Sequence, residues 1–308
     1  MFNPLKSLFV ITPYFNPIGY ARRRENYDLF IEGLHKAGVQ CLTIECAFDE
    51  DDFQLDERLD VIRVRSKTLL WQKERLINLA ASWLPSSCRY VAWLDCDIVF
   101  HNPNWARDLI RLMGEYKVAQ VWETCERKPQ FEVPGYTPDI VRSFASTITR
   151  DPTAFDSGRY DTHGHTGYGW AMHRDIFDEV GLYEYAISGS ADHFMSHAIF
   201  GQYNYCITNA LKSDANQVNH LKDWGQRFFA KVQGRLGVVP GHIHHLWHGS
   251  AENRRYFLRM HDITDLGYSP SHDIISLPGQ PLEWAPNINK PDLVEYFRNY
   301  FSSRREDG

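Results

Sequence analysis

Apolar and polar positions follow two alternating periods over residues 1–125. Leu8–Thr12 is a short apolar, β-prone run that ends at Pro13, which predicts a first strand. The segment PYFNPIGYARRREN reads as a loop. Glu25–Ala37 carries Leu29, Phe30, Leu34 and Ala37 on one helical stripe, and Gly38 stops it. Val39–Phe48 and Val61–Val64 predict two more strands, and Leu69–Leu84 a helix ended by Pro85. Tyr90–Phe100 (YVAWLDCDIVF) reads as a strand, Trp105–Tyr116 as a helix and Lys117–Val121 as a strand. This alternation suits βαβ units and a largely parallel sheet flanked by helices.

From 126 to 165 the periodicity breaks. Pro, Gly, Thr and Asp crowd ERKPQFEVPGYTPD and TRDPTAFDSGRYDTHGHTGYG, predicting a loop-rich excursion with a short helix near Pro138–Ser146. Helices follow at Arg174–Val180 and Ala191–Phe200, and PGHIHHLWHG (240–249) is strand-like. A last helix spans Asp292–Tyr300, ahead of a charged tail. Repeats and low-complexity tracts are absent from the sequence.

At 308 residues the chain suffices for one large α/β domain or two small ones. Hydrophobic residues make up 43% and charged ones 23%, an ordinary globular balance. Aromatics at 14% are rich enough to supply stacking surfaces, or simply a heavy core. A net charge of −6 argues against a broad nucleic-acid surface. Arg22, Arg23 and Arg24 form the only dense basic run near a candidate site, and such a run is more often a solvated helix start. The six cysteines (41, 46, 88, 96, 125 and 206) show no CxxC pair, and read as scattered thiols in a reducing compartment. Without a signal-like segment or a membrane-length apolar run, a soluble cytoplasmic protein is the expectation.

Three stretches carry chemistry. Asp95 and Asp97 follow four apolar residues at the carboxyl end of their strand, where ligands of parallel sheets sit. Two carboxylates at i and i+2 in an opening turn can reach one divalent cation, and hard oxygen ligands favour Mg²⁺ or Mn²⁺ bridging a diphosphate. The alternative is a surface turn with capping aspartates. HIHHLWHG holds His242, His244, His245 and His248. On an extended chain His242, His244 and His248 share a face and His245 points away, unless the chain turns near Trp247. Neutral imidazole suits Mn²⁺-like ions, and a structural zinc site is less attractive there because no cysteine lies nearby in sequence. In the third stretch (167–195), Gly167 and Gly169 allow close backbone approach to a ligand, while Tyr168 and Trp170 offer stacking surface. Asp192 opens a helix after SGSA, as an N-cap or as a general base on a substrate hydroxyl.

The ordered set resembles a GT-A fold glycosyltransferase. It comprises a DxD after an apolar strand, then G-x-G-W-A-M-x-R-x-x-F-x-x-V-G-L-[FY] from Gly167, an Asp-bearing helix and a late His motif, over roughly residues 5–255. The nearest pattern is the β-1,4-galactosyltransferase-like branch. There a Gly-rich, Trp-containing segment leads to a Glu-Asp pair, and Met-x-x-His supplies metal ligands. GSADHF is similar to the first, with Asp192 at the catalytic aspartate and Ala191 in place of glutamate. HLWH is similar to the second, with His245 in place of methionine and His248 at the histidine.

The resemblance implies a single mixed, mostly parallel GT-A domain over 1–308. Residues 1–125 would form the nucleotide-sugar half, 126–260 the acceptor and metal half and 261–308 a C-terminal extension. It implies Mn²⁺ or Mg²⁺ on Asp95, Asp97, His245 and His248, and Asp192 as catalytic base. Donor contacts would come from Thr12, Pro13, Tyr14, Phe15, Arg22, Lys73, Asn78 and Asp95, and substrate contacts from Tyr168, Gly169, Trp170 and His193. The expected reaction moves a sugar, most readily from a UDP-sugar, to the hydroxyl of a glycan or other acceptor, with inversion. A modified nucleic acid is left open as acceptor but disfavoured, and no membrane partner is expected. The competing classes are a nucleotide-sugar pyrophosphorylase or other nucleotidyltransferase, and a non-catalytic carbohydrate-binding protein.

Overall fold

The computed structural model describes residues 4–156, 162–256 and 258–308. The elements of the first part are β1 (Leu8–Tyr14), α1 (Ala21–Lys36), β2 (Gln40–Phe48), β3 (Val61–Ser66), α2 (Lys73–Ala81), β4 (Tyr90–Leu94), β5 (Ile98–Phe100), α3 (Trp105–Leu112) and β6 (Val118–Gln120). The middle holds β7 (Thr124–Arg127), β8 (Asp139–Arg142), α4 (Phe144–Arg150), α5 (Thr153–Asp156), β9 (Gly169–His173), α6 (Arg174–Val180), α7 (Ala191–Ala198), α8 (Tyr205–Ala210) and α9 (Ala215–Val232). The rest is β10 (Leu236–Val238), β11 (His242–His245), α10 (Arg259–Asp265), α11 (Pro270–Asp273), β12 (Ile274–Ser276), β13 (Leu282–Trp284) and α12 (Pro291–Ser303).

The main sheet has seven strands in the order β10-β6-β9-β4-β1-β2-β3, all parallel except β9. It is the mixed, mostly parallel sheet flanked by helices that the sequence implies. Successive side chains of a strand point to opposite faces. In β4, Val91 and Trp93 join the core under α2, α6, α7, α9 and α12, whereas Ala92 and Leu94 join the core under α1 and α3. Both faces are therefore buried, as parallel sheets require. A second sheet, β5-β11-β7-β8, lies beyond the end of β4.

Tyr90–Phe100 is two strands in two sheets, because Asp95-Cys96-Asp97 turns the chain out of the first and into the second. The helix expected near Pro138–Ser146 is instead β8 followed by α4. Asp139–Arg142 pairs antiparallel with β7, Arg127 Nε meets Asp139 Oδ2 at 2.7 Å, and Ser143 Oγ caps α4 by accepting from Ser146 N. Sheet pairing thus overrides local propensity there. Residues 157–161 of the loop-rich excursion lie outside the described residues. Helix α9 falls where the sequence analysis assigns nothing, although Val218, Leu221, Gly225, Phe228 and Val232 form its buried stripe. No helix among the described residues is long and apolar enough to cross a membrane.

The C-terminal segment folds back on the start of the chain. Asp307 accepts from the N–H groups of Ala21 and Arg22 at 3.1 and 2.8 Å, supplying α1 with the carboxylate cap that Tyr20 cannot. Tyr20 Oη in turn donates to the carbonyls of Phe301 and Ser302.

Candidate active site

A cleft opens at the carboxyl ends of β1 and β4, where ligands of such sheets bind. Strand β11 runs antiparallel to β5, placing His245 opposite Ile98, and Leu246 N donates to Asp97 O at 2.7 Å. That register brings the aspartate turn to the histidine motif. The chain turns after β11 and returns His248 to His245, with their Nε2 atoms 3.0 Å apart. Asp97 Oδ2 lies 3.2 Å from His248 Nε2, and Asp97 Oδ1 lies 3.7 Å from His245 Nε2. One ligand atom from each of the three buried residues falls within 4.8 Å of the others. His242 and His244 stay on the opposite face of β11, beside His101 and Glu126.

The electrostatics around this trio suit a cation. Burial, and next the charge of Asp95, pushes Asp97 up to about 7. Burial, and next His248, holds His245 well below the usual imidazole range; burial and then Arg254 push His248 down to about 3. Both rings are therefore neutral, the form that ligates metal. Asp97 Oδ1 is buried with no hydrogen-bond partner among the described residues. An orphaned carboxylate oxygen beside two converging imidazoles fits a divalent ion of the Mn²⁺ type.

Asp95 lies outside this trio. Its Oδ1 meets Lys73 Nζ at 2.7 Å, and the same Nζ meets Asp192 Oδ2 at 2.8 Å. Burial lowers the Lys73 pKa, but Asp192 and then Asp95 outweigh it and raise it well above the usual lysine range. Burial raises Asp192, against the pull of Lys73. Two residues with left-handed backbones frame the pair: Tyr168 (φ 79°), whose carbonyl accepts from Asp95 N, and Ser190 (φ 77°), which precedes α7. Such conformations cost on the order of 1–3 kcal/mol each and concentrate at functional sites.

The cleft lining is also rich in cations. Arg23, Arg127, Arg254, Arg259 and Arg304 line the cleft with Lys73. Arg254 Nη1 donates to His248 Nε2 at 2.6 Å, and the Arg304 and Arg259 guanidiniums lie 5.2 and 5.9 Å from the Trp71 ring centre. Buried Glu306 accepts from Arg304 Nε at 2.5 Å, faces Arg23 Nη1 at 3.5 Å and lies 3.8 Å from His248 Nδ1. Apart from Lys73 and His248, the residue pattern does not mark these side chains as site residues. Arg23 is masked by its run, since it turns inward while Arg22 turns outward to Glu25; Arg304 and Glu306 sit in what reads as a solvated tail.

The other expected site residues divide between the cleft and the packed interior. Thr12 is buried and donates to Leu94 O, tying β1 to β4; Pro13 and Phe15 border the cleft. Tyr14 points away from the cleft and donates to Gln54. Asn78 donates to Leu182 O and Glu184, bracing α2 against the loop after α6. Gly169 and Trp170 belong to the central strand β9. A Cβ on Gly169 would meet Leu94 Cδ2 at 2.6 Å, and the Trp170 ring is fully buried, with Nε1 donating to Thr166 O. Neither can touch a sugar: the Gly-Trp motif reads as ligand-facing but serves packing. Tyr168 does border the cleft, its ring stacked on His165 and tilted against His245. His193 borders the cleft as well, but its ring contacts His163, His197 and Cys206.

No family model matches the sequence, and no curated protein matches it. Among solved structures, the chain is similar to the catalytic domain of Drosophila β1,4-galactosyltransferase 7 with xylobiose, at 12% identity and TM-score 0.36, over 93% of this chain and 98% of that one. In a mutant of that enzyme with manganese, UDP-Gal and xylobiose, the match covers 61% of this chain and 58% of the other, at 12% identity and TM-score 0.30. Mannosyl-3-phosphoglycerate synthase from Rubrobacter xylanophilus matches at 12% identity and TM-score 0.40, over 90% and 83% of the two chains. 4-Diphosphocytidyl-2C-methyl-D-erythritol synthase from Anaerococcus prevotii matches at 11% and 0.38, over 77% and 88%.

Proposed function

We propose that the protein is a divalent-metal-dependent glycosyltransferase that moves a sugar from a nucleotide sugar to an acceptor hydroxyl. The observation that carries this reading is the convergence of Asp97 with the sequence-distant pair His245 and His248 in the lining of a cleft that also holds five arginines. Asp97, His245 and His248 would hold Mn²⁺ or Mg²⁺, while Asp95, engaged by Lys73, stands outside the converging set. When bound, the ion supplies Lewis-acid stabilisation of the departing diphosphate.

Arg254, Arg304 and Arg23 line the same cleft and would favour the charge of that leaving group. Asp192 accepts the proton of the acceptor hydroxyl as the new C–O bond forms, while the bond from the anomeric carbon to the diphosphate breaks and its electron pair leaves with the nucleoside diphosphate. Direct displacement by one base implies inversion. Lys73 opposes the burial that raises Asp192 and fixes its distance from Asp95. Tyr168, rather than Trp170, borders the cleft, where its ring packs on His165 and His245 and shapes the wall. The chain acts as a single transferase domain, with UDP as the expected nucleotide, and the six free thiols favour a reducing, cytoplasmic setting.

The test is incubation of the full chain with Mn²⁺, a panel of nucleotide sugars and a panel of acceptors. Release of nucleoside diphosphate that needs Mn²⁺ and disappears in Asp97→Ala is the expected result. Production or consumption of pyrophosphate would instead make the protein a nucleotidyltransferase. Sugar binding with neither product would make it a carbohydrate-binding protein.

A further inference from the structure

A second group of ligating side chains gathers around α7, sharing none of its members with the Asp97 trio. His193 and His197 are four residues apart on α7 and share one face of it. His163 enters from the segment before β9, and Cys206 from the first turn of α8. All four are buried, and one ligand atom from each lies within 4.8 Å of the others.

The distances fit a tetrahedral ion. Cys206 Sγ lies 3.4 Å from His193 Nε2 and 3.7 Å from His163 Nε2. With Zn–S near 2.3 Å and Zn–N near 2.0–2.1 Å, the N···S edge of a zinc tetrahedron is about 3.6 Å. The three ring centres lie 4.8 to 5.3 Å apart. The tautomer of His163 is fixed by its neighbour. His163 Nδ1 lies 3.0 Å from Gly164 O, a carbonyl that can only accept, so Nδ1 carries the proton and the Nε2 lone pair faces the sulfur. A carbonyl behind the outer nitrogen is the usual second partner of a metal-bound histidine. His197 makes no hydrogen bond from either ring nitrogen among the described residues, an unfavourable state for a buried imidazole unless an ion takes up its lone pair.

We infer that His163, His193, His197 and Cys206 form a closed, four-ligand structural Zn²⁺ site that pins α7 to α8 and to the segment before β9. On binding, Cys206 gives up its thiol proton to solvent and donates as thiolate, while the three imidazoles donate as neutral ligands. The ion would anchor α7, whose first turn carries Asp192 next in sequence to His193, without touching substrate. Four protein ligands leave no open position, the mark of a structural rather than a catalytic zinc.

The two cation sites are told apart by sulfur. The full chain is expressed with an Asp97→Ala substitution to disable the other site, then loaded with Co²⁺. The expected spectrum shows a cobalt–thiolate charge-transfer band in the near ultraviolet and intense visible bands of tetrahedral Co²⁺, both abolished by adding Zn²⁺. Elemental analysis of the protein purified without added metal should find zinc, lost in Cys206→Ser and in His197→Gln. Zinc content unchanged in folded Cys206→Ser, or a cobalt-loaded parent lacking the thiolate band, overturns the assignment. Should the variants not fold, the cobalt spectrum of the parent decides.

Discussion

Lys73 Nζ bridges Asp95 and Asp192, at 2.7 Å from one carboxylate and 2.8 Å from the other, so a single ammonium group couples the aspartate turn after β4 to the first turn of α7. The three groups are largely buried, and Glu74 beside them is pushed up to about 8, by burial first. Removing the lysine leaves two facing carboxylates with no cation between them. Lys73→Met should therefore destabilise the fold by about 3–5 kcal/mol, the range for breaking a buried ion pair. Urea denaturation measures this, and adding Asp192→Asn should recover part of the loss. A lysine that merely lay on the surface would change stability by less than about 1 kcal/mol.

Asp97 carries the metal reading. Manganese titration followed by electron paramagnetic resonance should show binding to the parent that is lost in Asp97→Ala and in His248→Ala. His242→Ala should bind as the parent does, because His242 lies on the other face of β11 and meets Thr124 Oγ1. Equal loss in all three would mean that the histidine motif binds metal as an undifferentiated cluster.

Asp192 separates binding from chemistry. Asp192→Asn keeps the shape of the side chain and removes its basicity. Nucleotide-sugar affinity, read by calorimetry with Mn²⁺ present, should hold, while turnover falls about 10²- to 10⁴-fold, the usual worth of a general base. Turnover at the parental rate would remove Asp192 from the mechanism.

Much of the fold was legible from residue patterning because burial on both sheet faces writes itself as apolar runs. Val91-Ala92-Trp93-Leu94 is such a run, and its end marks the cleft. The Gly-Trp motif was legible as a motif and misleading as chemistry, since the sequence cannot tell a tryptophan facing a ligand from one filling the core between β9 and α6. Arg304 and Glu306 were not legible at all. Their meaning depends on a fold-back across more than half the sequence, and a charged segment near a helix end looks the same whether it is solvated or docked.

His248 is backed by a buried carboxylate. A metal-bound histidine is oriented by whatever its second nitrogen faces, and for His248 that is buried Glu306, 3.8 Å from Nδ1. Glu306 is itself held ionised: burial opposes its charge, but Arg304 and then Arg23 outweigh it and keep it well below the usual carboxylate range. Glu306→Gln should therefore weaken Mn²⁺ binding by about 10- to 100-fold, the usual cost of losing an outer-shell partner. It should also destabilise the fold, because Arg304 and Arg23 are left facing a neutral amide. The two effects separate in an Arg23→Gln, Glu306→Gln double variant. Relieving the charge imbalance should restore part of the stability, whereas metal affinity should stay low, because nothing anionic then faces His248. A double variant that regains both would mean that Glu306 serves only to neutralise the arginines, and that the imidazole is oriented by the turn after β11 alone.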